Sequence, residues 1–297
     1  MDPKTFKARL AAAAARVEAC LDARLPKPSG HQAGVQKAMR YSALAGGKRL
    51  RPFLVIEAAR VFGEVGDGPV VAGAALECVH AYSLIHDDLP CMDDDDLRRG
   101  KPTVHKVWDE AIAVLAGDGL LTFAFELMSK DDVHPDPAIR LNLVRELSLA
   151  SGTLGMIGGQ VVDMTVPEAA RTAPIITDLQ DMKTGALIRF AARAGARLGR
   201  ASVTERTALD AYARALGLVF QITDDILDVE GDAALVGKAV GKDADRDKAT
   251  FVSLLGLEGA KSHAQELAAQ AHAALEPFGE RAAALRACVD FVLERDR

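Results

Sequence analysis

Apolar residues return along most of this chain at three- and four-residue spacing, the period of a helix face. No run shows the sustained alternation and hairpin turns of a half-buried strand. The pattern predicts helices over residues 6–25, 35–44, 53–62, 70–89, 104–128, 138–162, 175–198, 204–229, 261–275 and 282–294. Pro26 and Pro28 end the first, Gly46-Gly47 the second and Pro90 the fourth, while Pro52 opens the third, because proline suits a first helical turn. No repeat, low-complexity linker or composition break divides the chain, so the expected fold is all-α, one domain over residues 1–297. Gly152, Gly155, Gly158 and Gly159 are expected to let another helix approach closely, within a subunit or across a dimer, rather than to hold a ligand.

Composition narrows the function classes. Of 297 residues, 49% are hydrophobic but only 5% aromatic, so the core must be built from aliphatic helix formers. A net charge of -6 argues against a nucleic-acid partner. Cys20, Cys78, Cys91 and Cys288 lie scattered without CxxC or disulfide-like spacing, which fits a reduced, cytoplasmic setting. The run Ala11–Ala15 is followed at once by Arg16 and Glu18, unlike a signal peptide. The longest charge-free stretch, 147–162, falls short of the roughly 20 apolar residues a spanning helix needs, so no membrane span is expected.

Charge is segregated, and that changes the picture. Six aspartates fall within ten residues: Asp87, Asp88, Asp93, Asp94, Asp95 and Asp96. Each like-charge pair at ~6 Å costs roughly 3 kcal/mol at an effective dielectric of ~20. A fold that keeps such a cluster is expected to meet a cation there, and carboxylate oxygens are natural Mg²⁺ ligands. In an unbroken helix Asp87 and Asp93 would point about 120° apart. Pro90 disfavours continued helix, so residues 89–92 can bulge and return Asp93 beside Asp87. A calcium EF-hand starting at Asp93 would need its glycine where Arg98 stands. A second cluster, Asp224-Asp225-Ile-Leu-Asp228, lies in an apolar helix, with Asp224 and Asp228 on one face and Gln221 a turn earlier.

Cations answer the carboxylates. Gly46-Gly47-Lys48-Arg49-Leu50-Arg51-Pro52 sets three of them before a helix start, a favourable place for an anion. Arg98, Arg99 and Lys101 follow the first aspartate cluster, and His80 stands two turns before Asp87 on the same face. Further along come Lys183-Thr184-Gly185 and then Lys238, Lys242 and Lys248, of which Lys242 reads as solvated. No nucleophile–base pair and no P-loop is present.

These segments resemble the short-chain trans-isoprenyl diphosphate synthases, above all the bacterial synthases of farnesyl diphosphate. The resemblance rests on residues 46–52, 76–100 (LECVHAYSLIHDDLPCMDDDDLRRG), 158–163, 183–184, 220–228 and 237–251, and covers about 30–297 in one order; residues 1–25 add little. It implies a helical bundle around a deep central cavity, usually a homodimer, with Mg²⁺ (three ions per site, or Mn²⁺). Asp87, Asp88, Asp93, Asp224, Asp225 and Asp228 would carry the metal, Asp88 and Asp225 with the weakest claim. Lys48, Arg51, His80 and Arg99 would hold isopentenyl diphosphate, and Arg98, Lys183, Thr184, Gln221, Lys238 and Lys248 the allylic partner, dimethylallyl or geranyl diphosphate. The metal would make the allylic diphosphate a leaving group, with Asp87, Asp88, Asp93 and Asp224 as catalytic carboxylates. The Thr184 hydroxyl and a backbone carbonyl near Lys183 would steady the allylic cation. The double bond of isopentenyl diphosphate then attacks, and a proton leaves to the departing diphosphate. Tyr82 and Ser83, five and four residues before Asp87, would form the floor under a growing chain. A bulky Tyr82 resembles makers of the C15 product, with geranylgeranyl or geranyl diphosphate as the alternative product. A terpene cyclase would not need the Lys48, Arg51 and His80 group, and a non-catalytic partner subunit would be expected to have lost one of these clusters.

Overall fold

The computed structural model describes residues 1–167, 170–230 and 250–295. They form two compact units, Met1–Lys7 with Glu57–Glu64 and Arg145–Arg297, and Ala8–Ile56 with Val65–Val144. The helices are α1 Pro3–Arg24, α2 Ala33–Ala43, α3 Leu50–Arg60, α4 Gly68–Asp87, α5 Val104–Val107, α6 Glu110–Ser129, α7 Pro137–Ser151, α8 Met156–Thr165, α9 Ala173–Gln180, α10 Ala186–Leu198, α11 Val203–Glu230, α12 Phe251–Ala274 and α13 Ala283–Leu293. The all-α expectation holds.

Most boundaries shift by up to three residues, so that the third helix starts at Leu50, ahead of Pro52; four departures are larger, each for a local reason. The stretch 104–128 divides because Asp109 caps a new helix, its side chain accepting from the Ile112 amide at 2.7 Å. The stretch 138–162 divides at Gly155, whose backbone (φ -139°, ψ -127°) is non-helical. Between α9 and α10 the chain makes a π turn, Asp181–Gly185. Helix α12 starts ten residues earlier than the pattern suggested. Thr250 and Ser253 form a reciprocal capping box there, and Gly256 at φ +68° interrupts the helix and hides its period. Among the described residues one sheet exists, a hairpin pairing β1 Leu97–Arg98 with β2 Lys101–Pro102. Its turn residues Arg99 and Gly100 both have positive φ, the backbone that two-residue hairpins favour. Two-residue strands are too short to register as alternation.

In the second unit α4 is the core helix, with Val70, Val71, Leu76, Cys78 and Val79 almost fully buried, and α6 adds Leu120, Ala124 and Leu127. Gly73 permits the approach of α3, since a Cβ there would meet Pro52 at 3.0 Å. By length and hydropathy α4 and α6 would each suffice to cross a bilayer, yet most of α4 is buried inside the protein, as a core helix is. In the first unit α10 and α11 bury Phe190, Leu216, Val219 and Ile222, and the Tyr212 hydroxyl donates to the Leu285 carbonyl at 3.1 Å.

Candidate active site

Asp87 is the last residue of α4, and beyond it the chain forms a tight loop rather than helix. The Asp93 amide donates to the Asp87 carbonyl at 2.7 Å, the Asp94 amide to Leu89 at 3.1 Å and the Asp95 amide to Asp88 at 3.2 Å. Residues 88–92 thus bulge beyond Pro90 and the chain returns Asp93 to Asp87. Both side chains are half-buried. Asp88 differs: it is buried, and Arg98 grips it through Nε at 2.7 and 2.9 Å and Nη2 at 2.5 Å. Burial opposes the charge on Arg98, but the Asp88 hydrogen bonds and the nearby charge of Asp87 outweigh it and raise its pKa.

The hairpin brings further donors to this loop. The Thr103 amide reaches the Asp96 carbonyl at 3.0 Å, and carboxylate oxygens of Asp94 and Asp96 lie within 4.8 Å of each other and of a His105 ring nitrogen. Lys106 neutralises Asp96 at 2.9 Å. Two carboxylates and an imidazole at this spacing are of the ligand types that take a divalent cation. No spacing in the sequence links His105 to the aspartates; the hairpin brings it back to them.

Around His80 the same unit gathers cations. Burial pushes His80 well below the ordinary imidazole pKa, and the charges of Arg51, Arg99, Arg98 and Arg49 push it further, so it is neutral at pH 7. Arg99 lies against Gly47, where a Cβ would meet its Nη1 at 2.6 Å, and donates to the Gly46 carbonyl. That contact holds the loop that carries exposed Lys48. Of the three cations expected to face an anion, Arg49 does not. It is 3% exposed, pairs with buried Glu77 at 2.6 Å and donates to the Ala43 carbonyl at 2.7 Å. Tyr82 is buried and Ser83 half-buried, with the Ser83 hydroxyl donating to the His80 carbonyl at 2.9 Å. Burial, aided by the charge of Asp87, pushes the Tyr82 phenol up to about 12.

In the first unit the π turn positions Lys183 and Thr184. Gly159 makes room for it, since a Cβ there would meet the Lys183 amide nitrogen at 2.3 Å, and one turn later Asp163 takes the Lys183 ammonium at 2.6 Å. Gly159 therefore serves close helix approach, the reading its type suggested. The Thr184 hydroxyl donates to Gln221 Oε1 at 3.2 Å, and Gln221 Nε2 donates to Asp225 Oδ1 at 3.0 Å. The other Asp225 oxygen accepts from the Phe251 amide at 2.9 Å, so this buried carboxylate ties α11 to the start of α12. Asp224 pairs with Arg295 at 2.7 Å, and that guanidinium also stacks 4.0 Å over the Phe220 ring. Asp228 lies one turn further along α11, half-buried. Asp163 lies in a segment of the family resemblance with no role of its own there, and Arg295 lies outside every motif in the sequence. Lys238, Lys242 and Lys248 lie outside the described residues.

A helical fold, two aspartate clusters and a cation-ringed histidine suit the binding of anions and divalent cations. Comparison with known proteins names the class. The model of the polyprenyl synthetase family matches residues 32–289, and the chain belongs to that family and is a prenyltransferase. Among relatives, a farnesyl diphosphate synthase of Geobacillus stearothermophilus is 48% identical over 230 residues, 77% of each chain. A chloroplastic geranylgeranyl pyrophosphate synthase of Capsicum annuum is 43% identical over 297 residues, 99% of this chain and 80% of its own. The crystal structure of an FPP/GFPP synthase from Zymomonas mobilis superposes with a TM-score of 0.87 at 45% identity, covering 97% of this chain and 99% of that one.

Proposed function

We propose that this chain condenses isopentenyl diphosphate with dimethylallyl and then geranyl diphosphate, giving farnesyl diphosphate and releasing diphosphate. The observation that carries the reading is the return of Asp93 onto Asp87 at the end of α4, in the unit that also gathers Arg51, Arg98 and Arg99 around a neutral His80. A carboxylate wall with an adjacent cation group suits two diphosphates that must be held differently, one ionised and one kept.

In this reading Asp87, Asp93, Asp224 and Asp228 hold three Mg²⁺ ions, or Mn²⁺ in their place. Bound metal would supply the charge neutralisation that lets diphosphate leave. Asp88 and Asp225 act mainly through protein partners, Arg98 for the first and Gln221 with the Phe251 amide for the second. Lys48, Arg51, Arg99 and His80 bind isopentenyl diphosphate, the neutral imidazole acting as a hydrogen-bond donor to an anion already met by arginines. Lys183, Gln221 and the Thr184 hydroxyl attend the allylic partner, with Lys238 and Lys248 as further phosphate ligands. Tyr82 and Ser83 close the pocket beneath the growing tail.

The enzyme works as one catalytic domain, in the cytoplasm, as a homodimer. The dimer is supported by exposed apolar side chains on and just before α8: Leu154, Ile157, Val161 and Met164 repeat at helical spacing and are 39–77% exposed. Geranylgeranyl diphosphate is the competing product, and the Capsicum annuum relative keeps it in view. Purified protein given isopentenyl and geranyl diphosphate with Mg²⁺ is expected to yield a C15 product, lost on adding EDTA. Condensation that persists in EDTA would defeat the metal reading. A C20 product would keep the chemistry and defeat Tyr82 as the floor.

A further inference from the structure

The Tyr82 hydroxyl is buried and has no hydrogen-bond partner among the described residues. No polar contact from these residues anchors the far end of this ring, so packing sets its angle. The aromatic neighbour among the described residues is His86, one turn later on the same face of α4, with ring centroids 5.6 Å apart at 78°. His86 is itself held from the other side. Its Nε2 lies 3.1 Å from the Val114 carbonyl of α6, and since a carbonyl only accepts, Nε2 carries the proton. The imidazole fits there because residue 117 has no side chain. A Cβ at Gly117 would stand 2.1 Å from Nε2 and 2.5 Å from Cδ2 of His86, closer than any real contact.

From this chain of contacts we infer that Gly117 and His86 are positioning residues that set the angle of Tyr82 and through it the length of the product. The inference rests on the proposed role of Tyr82 as floor. Gly117 lets the imidazole reach Val114, the bond to Val114 holds the imidazole edge-on, and that edge keeps the unanchored phenol ring upright across the pocket. Ring-edge packing of this kind has a preferred geometry, which a smaller or displaced neighbour does not supply. His86→Ala removes the edge. Gly117→Ala drives the imidazole off Val114. Either change lets Tyr82 lie over and opens the space below it.

The test is the product-length spectrum of the purified full chain given isopentenyl and geranyl diphosphate with Mg²⁺. Both variants are expected to raise the ratio of C20 to C15 product roughly tenfold, the scale of a modest change in pocket shape. In a Tyr82→Ala background neither should lengthen the product further, because both act through that ring. A merely structural role would alter rate or stability without this dependence on Tyr82. If Gly117→Ala does not fold, His86→Ala, which only removes atoms, decides the matter. Should Tyr82→Ala itself still give C15, the floor reading falls. Should Tyr82→Ala lengthen the product while His86→Ala keeps C15, or His86→Ala lengthen it equally without Tyr82, the positioning inference is overturned and the floor stands.

Discussion

Replacing Glu77 by Gln leaves Arg49 charged in the protein interior without its counter-charge. Both side chains are nearly inaccessible, at 1% and 4% exposure, and the Arg49 Nη1 to Glu77 Oε1 distance is 2.6 Å. At that distance the attraction is roughly 6 kcal/mol for an effective dielectric of about 20, most of it offset by the cost of desolvating both ions. Removing one partner forfeits the attraction and keeps half the desolvation cost, typically about 3–5 kcal/mol. Glu18 at 3.4 Å from the Arg49 Nε gives partial relief, so the lower end, about 3 kcal/mol, is expected. For a chain of this size that lowers the melting temperature by roughly 6–12 °C. Thermal unfolding followed by circular dichroism, with a urea titration alongside, measures it. A double variant, Arg49→Met with Glu77→Leu, should recover most of the loss, because an apolar pair needs no counter-charge. A Glu77→Gln variant that melts with the parent would refute the reasoning, since it would mean that water or another carboxylate already balances Arg49.

The ionic arrangement leads to two more outcomes. His80 has a depressed pKa in the fold, so the folded protein refuses a proton that the unfolded chain accepts below about 6.5; stability should therefore fall as pH drops through that value, and His80→Phe should flatten the fall in unfolding curves taken from pH 7.5 to 5. Arg295 occupies Asp224 at 2.7 Å, so Arg295→Ala should lower the Mg²⁺ concentration for half-maximal condensation several-fold, and an unchanged or higher requirement would remove competition between cation and guanidinium from the account.

Helix content was open to a reader of the chain because apolar spacing survives any packing detail. The breaks were less visible. A period of 3.6 tolerates the extra residue of the turn at Asp181–Gly185, so the stretch from Ile175 to Leu198 looked continuous. The loop after Asp87 could be foreseen from Pro90, a local constraint, and the amide of Asp93 does return to Asp87. Ion pairing could not be foreseen in the same way. Arg49 looks identical to Lys48 and Arg51 in the string, and only the placement of Glu77 on α4, 28 residues away, turns it inward. Arg295 reaches the Phe220 carbonyl across 75 residues, a separation that no periodic or motif argument spans. Gly117 likewise reads as a weak point in α6 until His86 is seen beside it.

The π turn at Asp181–Gly185 has a consequence for how this sequence can change. A widened turn carries one residue more than a regular helix needs, so a single deletion there would restore an unbroken α9–α10 rod and gain local helical order. It would also turn everything after the deletion by about 100° and draw Lys183 and Thr184 away from Asp163 and Gln221. The mutation that would make this stretch a better helix is thus among those that would unmake the site. Selection for robustness and selection for chemistry pull this segment in opposite directions, and its present form is the one a working enzyme would be obliged to keep.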